Sequence, residues 1–223
     1  MKNITLKIIG VNVAIFFLQL VLPNFTNTFV LIGSDMFTRP WILLTSMFMH
    51  GSFNHLFFNM YALLLFGPLI EAKIGSKRFL YFYLITGLLA AIGYGLIYPA
   101  QSALGASGAI MGVIGMTIML LPHLKILLFF IIPMSMRTAG IIFAAIDIFG
   151  LFNPGGVANL AHLIGLAAGL ALGKYLLGKK KSFNERFTQP HKHKRKTQTA
   201  NPNDVVIELD DNDVNDYLKN GRL

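Results

Sequence analysis

Residues 99–121 read PAQSALGASGAIMGVIGMTIMLL. The part from Ser107 to Leu121 is apolar enough for a membrane interior but only fifteen residues long. At 1.5 Å per residue it reaches about 22 Å, short of the roughly 30 Å hydrocarbon core. The preceding segment Pro99–Ala106 is therefore expected to dip into the membrane as a short re-entrant loop. Irregular backbone at that depth is tolerated only where protein buries it or water reaches it. Gly105-Ala106-Ser107-Gly108 then opens the helix. Ser107 thus sits where free N–H groups and the positive end of the helix dipole favour developing negative charge.

The rest of the chain suits the same solvent. Its 223 residues are 54% apolar and 13% charged, with a mean hydropathy of +0.60. Soluble domains carry about 25% charged residues. Of the 29 charged residues, 17 fall in Lys179–Leu223, which leaves twelve for the first 178 positions. So few cannot make a water-soluble surface, and lipid must solvate that part. The absence of cysteine excludes disulfides, a thiol nucleophile and thiolate metal sites. The net charge of +9 sits mostly at the ends of apolar segments and in the tail, a pattern for membrane orientation and not for a nucleic-acid partner.

Six apolar stretches are predicted to span the bilayer: Ile4–Leu22, His55–Ile70, Phe79–Tyr98, Ser107–Leu121, Thr138–Phe152 and Ala158–Leu177. The fold class is therefore an all-α membrane protein. The first stretch follows Lys2 and Lys7 without a small-residue cleavage site, so it is expected to stay as an anchor. The run Ile126–Met134, too short to span and interrupted by Pro133, is placed in the connection between spans four and five as an interfacial segment. Lys2, Lys7, Lys73, Lys77, Arg78, Lys125, Arg137, Lys174 and Lys179–Lys181 fall on one side of this topology, against Arg39 alone on the other. By the positive-inside rule both ends are cytoplasmic, and the expected location is the cell membrane of a prokaryote. Residues 1–178 form the membrane domain. Residues 179–223, with the basic His191–Lys196 and the acidic Asp204–Asp216 stretches, are expected to be a disordered polar tail.

Polar groups inside spans are functional candidates by default. Here they are His55, Asn59, Ser107, Asp147, Asn159 and His162. Counting along the helices puts Ser107, His162 and His55 each roughly 21–24 Å above the cytoplasmic ends of their spans, and Asn59 roughly 18 Å. Three helices thus present polar groups in one layer. Two stripes of small residues bear on their arrangement: Ala161, Gly165, Gly169 and Gly173 on span six, and Gly108 and Gly112 on span four. Such stripes let membrane helices touch backbone to backbone. If they face each other, Ser107 and His162 come within reach.

These residues resemble the rhomboid family of intramembrane serine proteases. The resemblance is carried by Gly105-Ala106-Ser107-Gly108, by Ala161-His162-Leu163-Ile164-Gly165 with Gly169, and by His50, His55 and Asn59 leading to Glu71. It implies a six-helix bundle and a Ser–His dyad without a catalytic Asp. Ser107 matches the nucleophile and His162 the general base. His55 and Asn59 match the oxyanion donors, helped by the Ser107 N–H. Gly105 matches the loop glycine before the nucleophile, and Trp41 the aromatic of a membrane-embedded first loop. Two positions depart from the pattern: Ile42 stands where Arg is common, and Met111 where many bacterial members place a Tyr against the histidine. A thioether can still contact an imidazole.

His50 is expected to support the first loop by hydrogen bonding, and Glu71 and Lys73 to cap and anchor span two. Asp147, the only acid of span five, is read as structural near its outer end. It has no second acid with which to share a proton, which argues against an aspartyl protease. No HExxH occurs, which argues against a metalloprotease, and neither metal nor cofactor is expected. The implied partners are a transmembrane protein substrate and the bilayer; oligomeric state stays open. The alternative is a non-catalytic rhomboid-like protein that binds or escorts transmembrane helices. It has no need of Ser107 and His162 together.

Overall fold

A computed structural model describes residues 3–128, 131–152 and 158–188. The chain divides into two units, residues 1–185 and 186–223, and the second is described only over 186–188. The main helices are α1 (Ile4–Val21), α4 (Phe53–Ile74), α5 (Ser76–Ile97), α6 (Ser107–Leu120), α7 (Met136–Phe152) and α8 (Asn159–Thr188). Two short helices, α2 (Phe25–Phe29) and α3 (Ile42–Thr45), lie in the connection from α1 to α4. Among the described residues, four helices are long and apolar enough to cross a membrane: α1, α4, α5 and the Asn159–Lys179 part of α8. The other two main helices are shorter, 14 residues in α6 and 17 in α7.

The fold is mostly helical, as expected, with two small additions. Strands β1 (Leu31–Ile32) and β2 (Ser102–Ala103) pair antiparallel, with Leu31 opposite Ala103. Strands β3 (Lys125–Leu128) and β4 (Ile132–Ser135) form a hairpin between α6 and α7, where an interfacial segment was expected. The backbone of α8 continues past Gly178 to Thr188. The rest of the expected tail, from residue 189, lies outside the described residues.

Helix α6 is the axis of the molecule. Every residue from Gly108 to Thr117 is buried, and the helix packs against α4, α5 and α7. Its glycines set the approach of α8. A Cβ built on Gly165 would fall on the Gly108 carbonyl oxygen, and one on Gly169 would fall on that of Gly112. From the other side, a Cβ on Gly115 would lie 2.5 Å from the Leu166 carbonyl oxygen. Side chains are excluded along this seam, so backbone dispersion contacts hold it together. Facing outward are Phe17, Leu20, Phe58, Leu96, Ile141, Phe149 and Phe152, all exposed. So much exposed apolar surface suits contact with lipid.

Glu71 corrects one expectation. It does not cap its own helix. Its carboxylate accepts the N–H groups of Ile4 at 2.8 Å and Thr5 at 2.9 Å, together with the hydroxyls of Thr5 and Ser76. The orphan donors at the start of α1 and the positive dipole end there are met by a buried acid from α4. Gly75, the single residue between α4 and α5, has φ of +86°, which a side chain would strain.

The connection from α1 to α4 is tied down where it meets the start of α6. Arg39 pairs with Asp35 at 3.1 Å and donates to the carbonyls of Asn27 and Thr28. The Gln19 side chain holds the backbone of His50 from both sides, accepting its N–H at 2.9 Å and donating to its carbonyl at 3.2 Å. The Gly105 N–H donates to the Ser46 carbonyl at 2.9 Å. With the β1–β2 pair, these bonds fix the irregular stretch that leads to Ser107.

Candidate active site

Ser107 is the first residue of α6, where the leading N–H groups have no helical acceptor. His162 stands one turn into α8, on the helix whose glycines meet α6. The close approach brings Ser107 Oγ to 2.7 Å from His162 Nε2. The other ring nitrogen, Nδ1, lies 2.9 Å from the Asp147 carboxylate of α7. Asp147 is buried, at 5% exposure. It lies five residues before the end of α7, and its contact with the histidine was not anticipated in the structural role expected of it.

His55 and Asn59 come from α4 and line the same cavity as Ser107 and His162. Ser52 caps α4, its hydroxyl accepting the His55 N–H at 3.2 Å. The His55 ring lies over Gly105: a Cβ there would sit 2.7 Å from both Cε1 and Nε2. Gly105 also has φ of +119°. Two independent constraints therefore demand glycine at this position. The Gly51 N–H makes a long contact, 3.5 Å, to His55 Nδ1. That leaves Nε2 as the nitrogen free to carry a proton. Asn59 donates one amide hydrogen to the His55 carbonyl at 2.9 Å and keeps a second donor.

The cavity measures about 700 Å³. Its walls are mostly apolar: Phe58 and Ala62 of α4, Ile110, Met111 and Ile114 of α6, Phe143 of α7, and the extended stretch Ser102–Leu104. Among the described residues, His55, Asn59, Ser102, Ser107 and His162 bring polar side chains to it. Such a space, apolar with a few convergent polar groups, is the usual form of a binding cleft. Met111 is buried one turn below Ser107, on the same cavity. Trp41 is half-exposed, and Ile42, which departs from the family pattern, is fully buried.

His50 differs from its expected form. Its backbone is hydrogen-bonded, as described above, but neither ring nitrogen has a partner in good geometry. The ring is buried and meets His55 edge-on, with centroids 5.1 Å apart. Burial, with the neighbouring His55 adding to it, lowers the pKa of this loop histidine to about 4, and the Phe48 backbone offsets only part of that. Among the described residues, no three His, Asp or Glu side chains gather as metal ligands.

The sequence contained a signal for Asp147. It is the single acid in its span, and an intramembrane acid needs a partner. The partner sought was a second acid, whereas the structure supplies a histidine. The Gln19–His50 and Ser46–Gly105 bonds carried no signal, since they join residues 31 and 59 positions apart through backbone groups.

Comparison with known proteins places the chain in a family. A family model described as Rhomboid domain matches residues 38–179. The chain is 33% identical over 187 residues to Rhomboid protein 1, mitochondrial, of Saccharomyces cerevisiae, covering 78% of this chain and 54% of that protein. It is 32% identical over 143 residues to the Putative rhomboid protease YdcA of Bacillus subtilis, covering 63% and 69% respectively. To Rhomboid protease GluP of the same organism it is 32% identical over 195 residues, covering 82% of this chain and 37% of that protein. The chain thus spans about half the length of the yeast relative. With the domain match taking in Ser107, His162, His55, Asn59 and the glycine seam, the chain belongs to the rhomboid family of integral membrane proteins.

Proposed function

We propose that this protein is an intramembrane serine endopeptidase that cleaves peptide bonds in or near transmembrane helices of other membrane proteins. The observation that carries the reading is the 2.7 Å approach of Ser107 Oγ to His162 Nε2 at the wall of an apolar cavity. The Ser107 proton passes to Nε2 as Oγ attacks the scissile carbonyl carbon. Negative charge then develops on the carbonyl oxygen, where the Ser107 N–H, His55 and Asn59 can donate. The imidazolium returns its proton to the leaving amine. Water, activated by the same histidine, releases the acyl-enzyme.

A peptide bond within a helix is shielded by its own hydrogen bonds, so the substrate must unwind before it reaches Ser107. Segments weakened by Gly or Pro are the expected substrates. In this reading α6 and α7 complete a six-helix bundle, residues 99–106 form the re-entrant loop, and both termini lie on the cytoplasmic side, where the basic loop residues gather. Placement in the cell membrane of a prokaryote is part of the same proposal, with relatives that are both bacterial and mitochondrial.

Purified protein in liposomes, incubated with a helical transmembrane substrate carrying a central Gly or Pro, should cut it, and Ser107→Ala should not. Equal cleavage by both would overturn the reading. Absence of cleavage by the wild type against a panel of such substrates would favour the non-catalytic alternative.

A further inference from the structure

We propose that Asp147 is a positioning residue of this site, holding His162 as the tautomer that can accept the Ser107 proton and steadying the imidazolium that follows. The inference rests on the protease reading and adds a third group to the Ser–His pair from which that reading starts.

An ionised carboxylate only accepts hydrogen bonds. At 2.9 Å, Asp147 Oδ1 is at ordinary hydrogen-bond distance from His162 Nδ1. The imidazole proton is therefore placed on Nδ1, which leaves the lone pair of neutral histidine on Nε2, 2.7 Å from Ser107 Oγ. Without a partner at Nδ1, nothing selects this tautomer. A carboxylate at 5% exposure must be paired to be tolerated, and among the described residues His162 is its only hydrogen-bond or ion-pair partner.

The helices support the same assignment. Asp147 lies five residues before the end of α7 and His162 three residues after the start of α8, so the two meet at one end of neighbouring elements. The glycine seam fixes α8 against α6, and α7 packs on α6. The imidazole is thereby clamped between a hydroxyl from one helix and a carboxylate from another. His55 of α4 lines the same cavity and carries no negative charge. The only acid on α4, Glu71, is engaged with the start of α1, and α6 carries no charged residue. Asp147 is the counter-charge in reach.

During acylation the Ser107 proton moves to Nε2 while Oγ bonds to the carbonyl carbon. When the C–N bond breaks, its electron pair stays with the amine nitrogen, which takes the Nε2 proton. Throughout, Nδ1 keeps its own proton, directed at Asp147 Oδ1.

The test replaces Asp147 with leucine, close in volume and suited to an apolar site. Two readouts are taken: kcat and KM for a transmembrane substrate in liposomes, and the imidazole ¹⁵N shifts of His162 in the Ser107→Ala background with and without Asp147→Leu. The expected result is a kcat lowered roughly 100-fold with KM within about twofold, and a change of neutral His162 from the Nδ1–H to the Nε2–H form. Unchanged kcat, or an Nδ1–H tautomer retained without Asp147, would overturn the proposal. So would a loss of activity that only matches the loss of folded protein, because a merely structural role would not move the tautomer. If Asp147→Leu does not fold, Asp147→Asn takes its place with the same expectations. If neither wild type nor Ser107→Ala cleaves anything, the protease reading has failed, and the ¹⁵N shifts still decide whether Asp147 sets the histidine.

Discussion

At the scale of single residues, Gly105 bears the tightest constraint in the site. Its φ of +119° strains any L side chain, and a methyl group there would press into the His55 ring. Gly105→Ala should lower cleavage more than tenfold, about 1.4 kcal/mol of barrier, because His55 must move from the cavity it lines. Wild-type kinetics in that variant would show that the ring does not matter to the reaction. His50 gives a prediction in pH. Its folded pKa, about 4, lies below the ordinary 6.5, so between those values the unfolded chain binds more protons than the folded one. The stability it contributes is complete above pH 6.5 and is lost as pH falls toward 4, on the order of 3 kcal/mol at most. Thermal melts in detergent should show a shallower pH dependence for His50→Leu than for wild type across that window. Parallel curves would contradict the assignment. Ser107 and His162 were legible because helix counting puts them at one depth. Asp147 was less so, because its role depends on a contact that spacing alone does not reveal.

At the scale of elements, the glycine seam between α6 and α8 brings the site together. Gly165→Val would drive a branched side chain into the Gly108 carbonyl. Overpacking of this kind costs about 1–3 kcal/mol, and here it also separates the helices that carry Ser107 and His162. Melting temperature and cleavage should both fall. Gly10→Ala is the matched control, since a Cβ there meets nothing within 4 Å and the variant should be as stable as wild type. Equal stability of both variants would contradict the seam. The other strong element-level contact is the capping of α1 by Glu71. Glu71→Ala leaves the N–H groups of Ile4 and Thr5 without their acceptor and should cost about 1–3 kcal/mol. A melt unchanged from wild type would show that these donors find another acceptor.

Helix boundaries were largely readable because the polar residues that end the spans are sparse. The apolar stretch Ser107–Leu121 forms the helix α6, Ser107–Leu120, and Ile4–Leu22 forms α1, Ile4–Val21. Span two was drawn too short, ending at Ile70, because Glu71 looked like an aqueous end. In fact its charge is spent on another helix 66 residues away. The β3–β4 hairpin was missed because a continuous apolar run with one proline shows neither helical nor strand periodicity. The β1–β2 pair, two residues a side, is too short to leave a pattern.

At the scale of the whole molecule, the partition of charge says most. Only twelve charged residues serve the first 178 positions. Two of those few are used internally: Glu71 caps a helix and Asp147 faces a histidine. An apolar exterior surrounds a buried central helix whose first residue is a serine. That residue borders a cavity of about 700 Å³, large enough for a stretch of unwound peptide. The central claim is that this serine is a nucleophile activated by His162. The direct measurement is mass spectrometry of the protein after reaction with a serine-directed phosphonate probe. The adduct is expected on Ser107 itself and not on Ser46, Ser52 or Ser102, with labelling of His162→Ala slowed by roughly 10²–10⁴-fold. An adduct on a peptide lacking Ser107, or undiminished labelling of His162→Ala, would contradict the account.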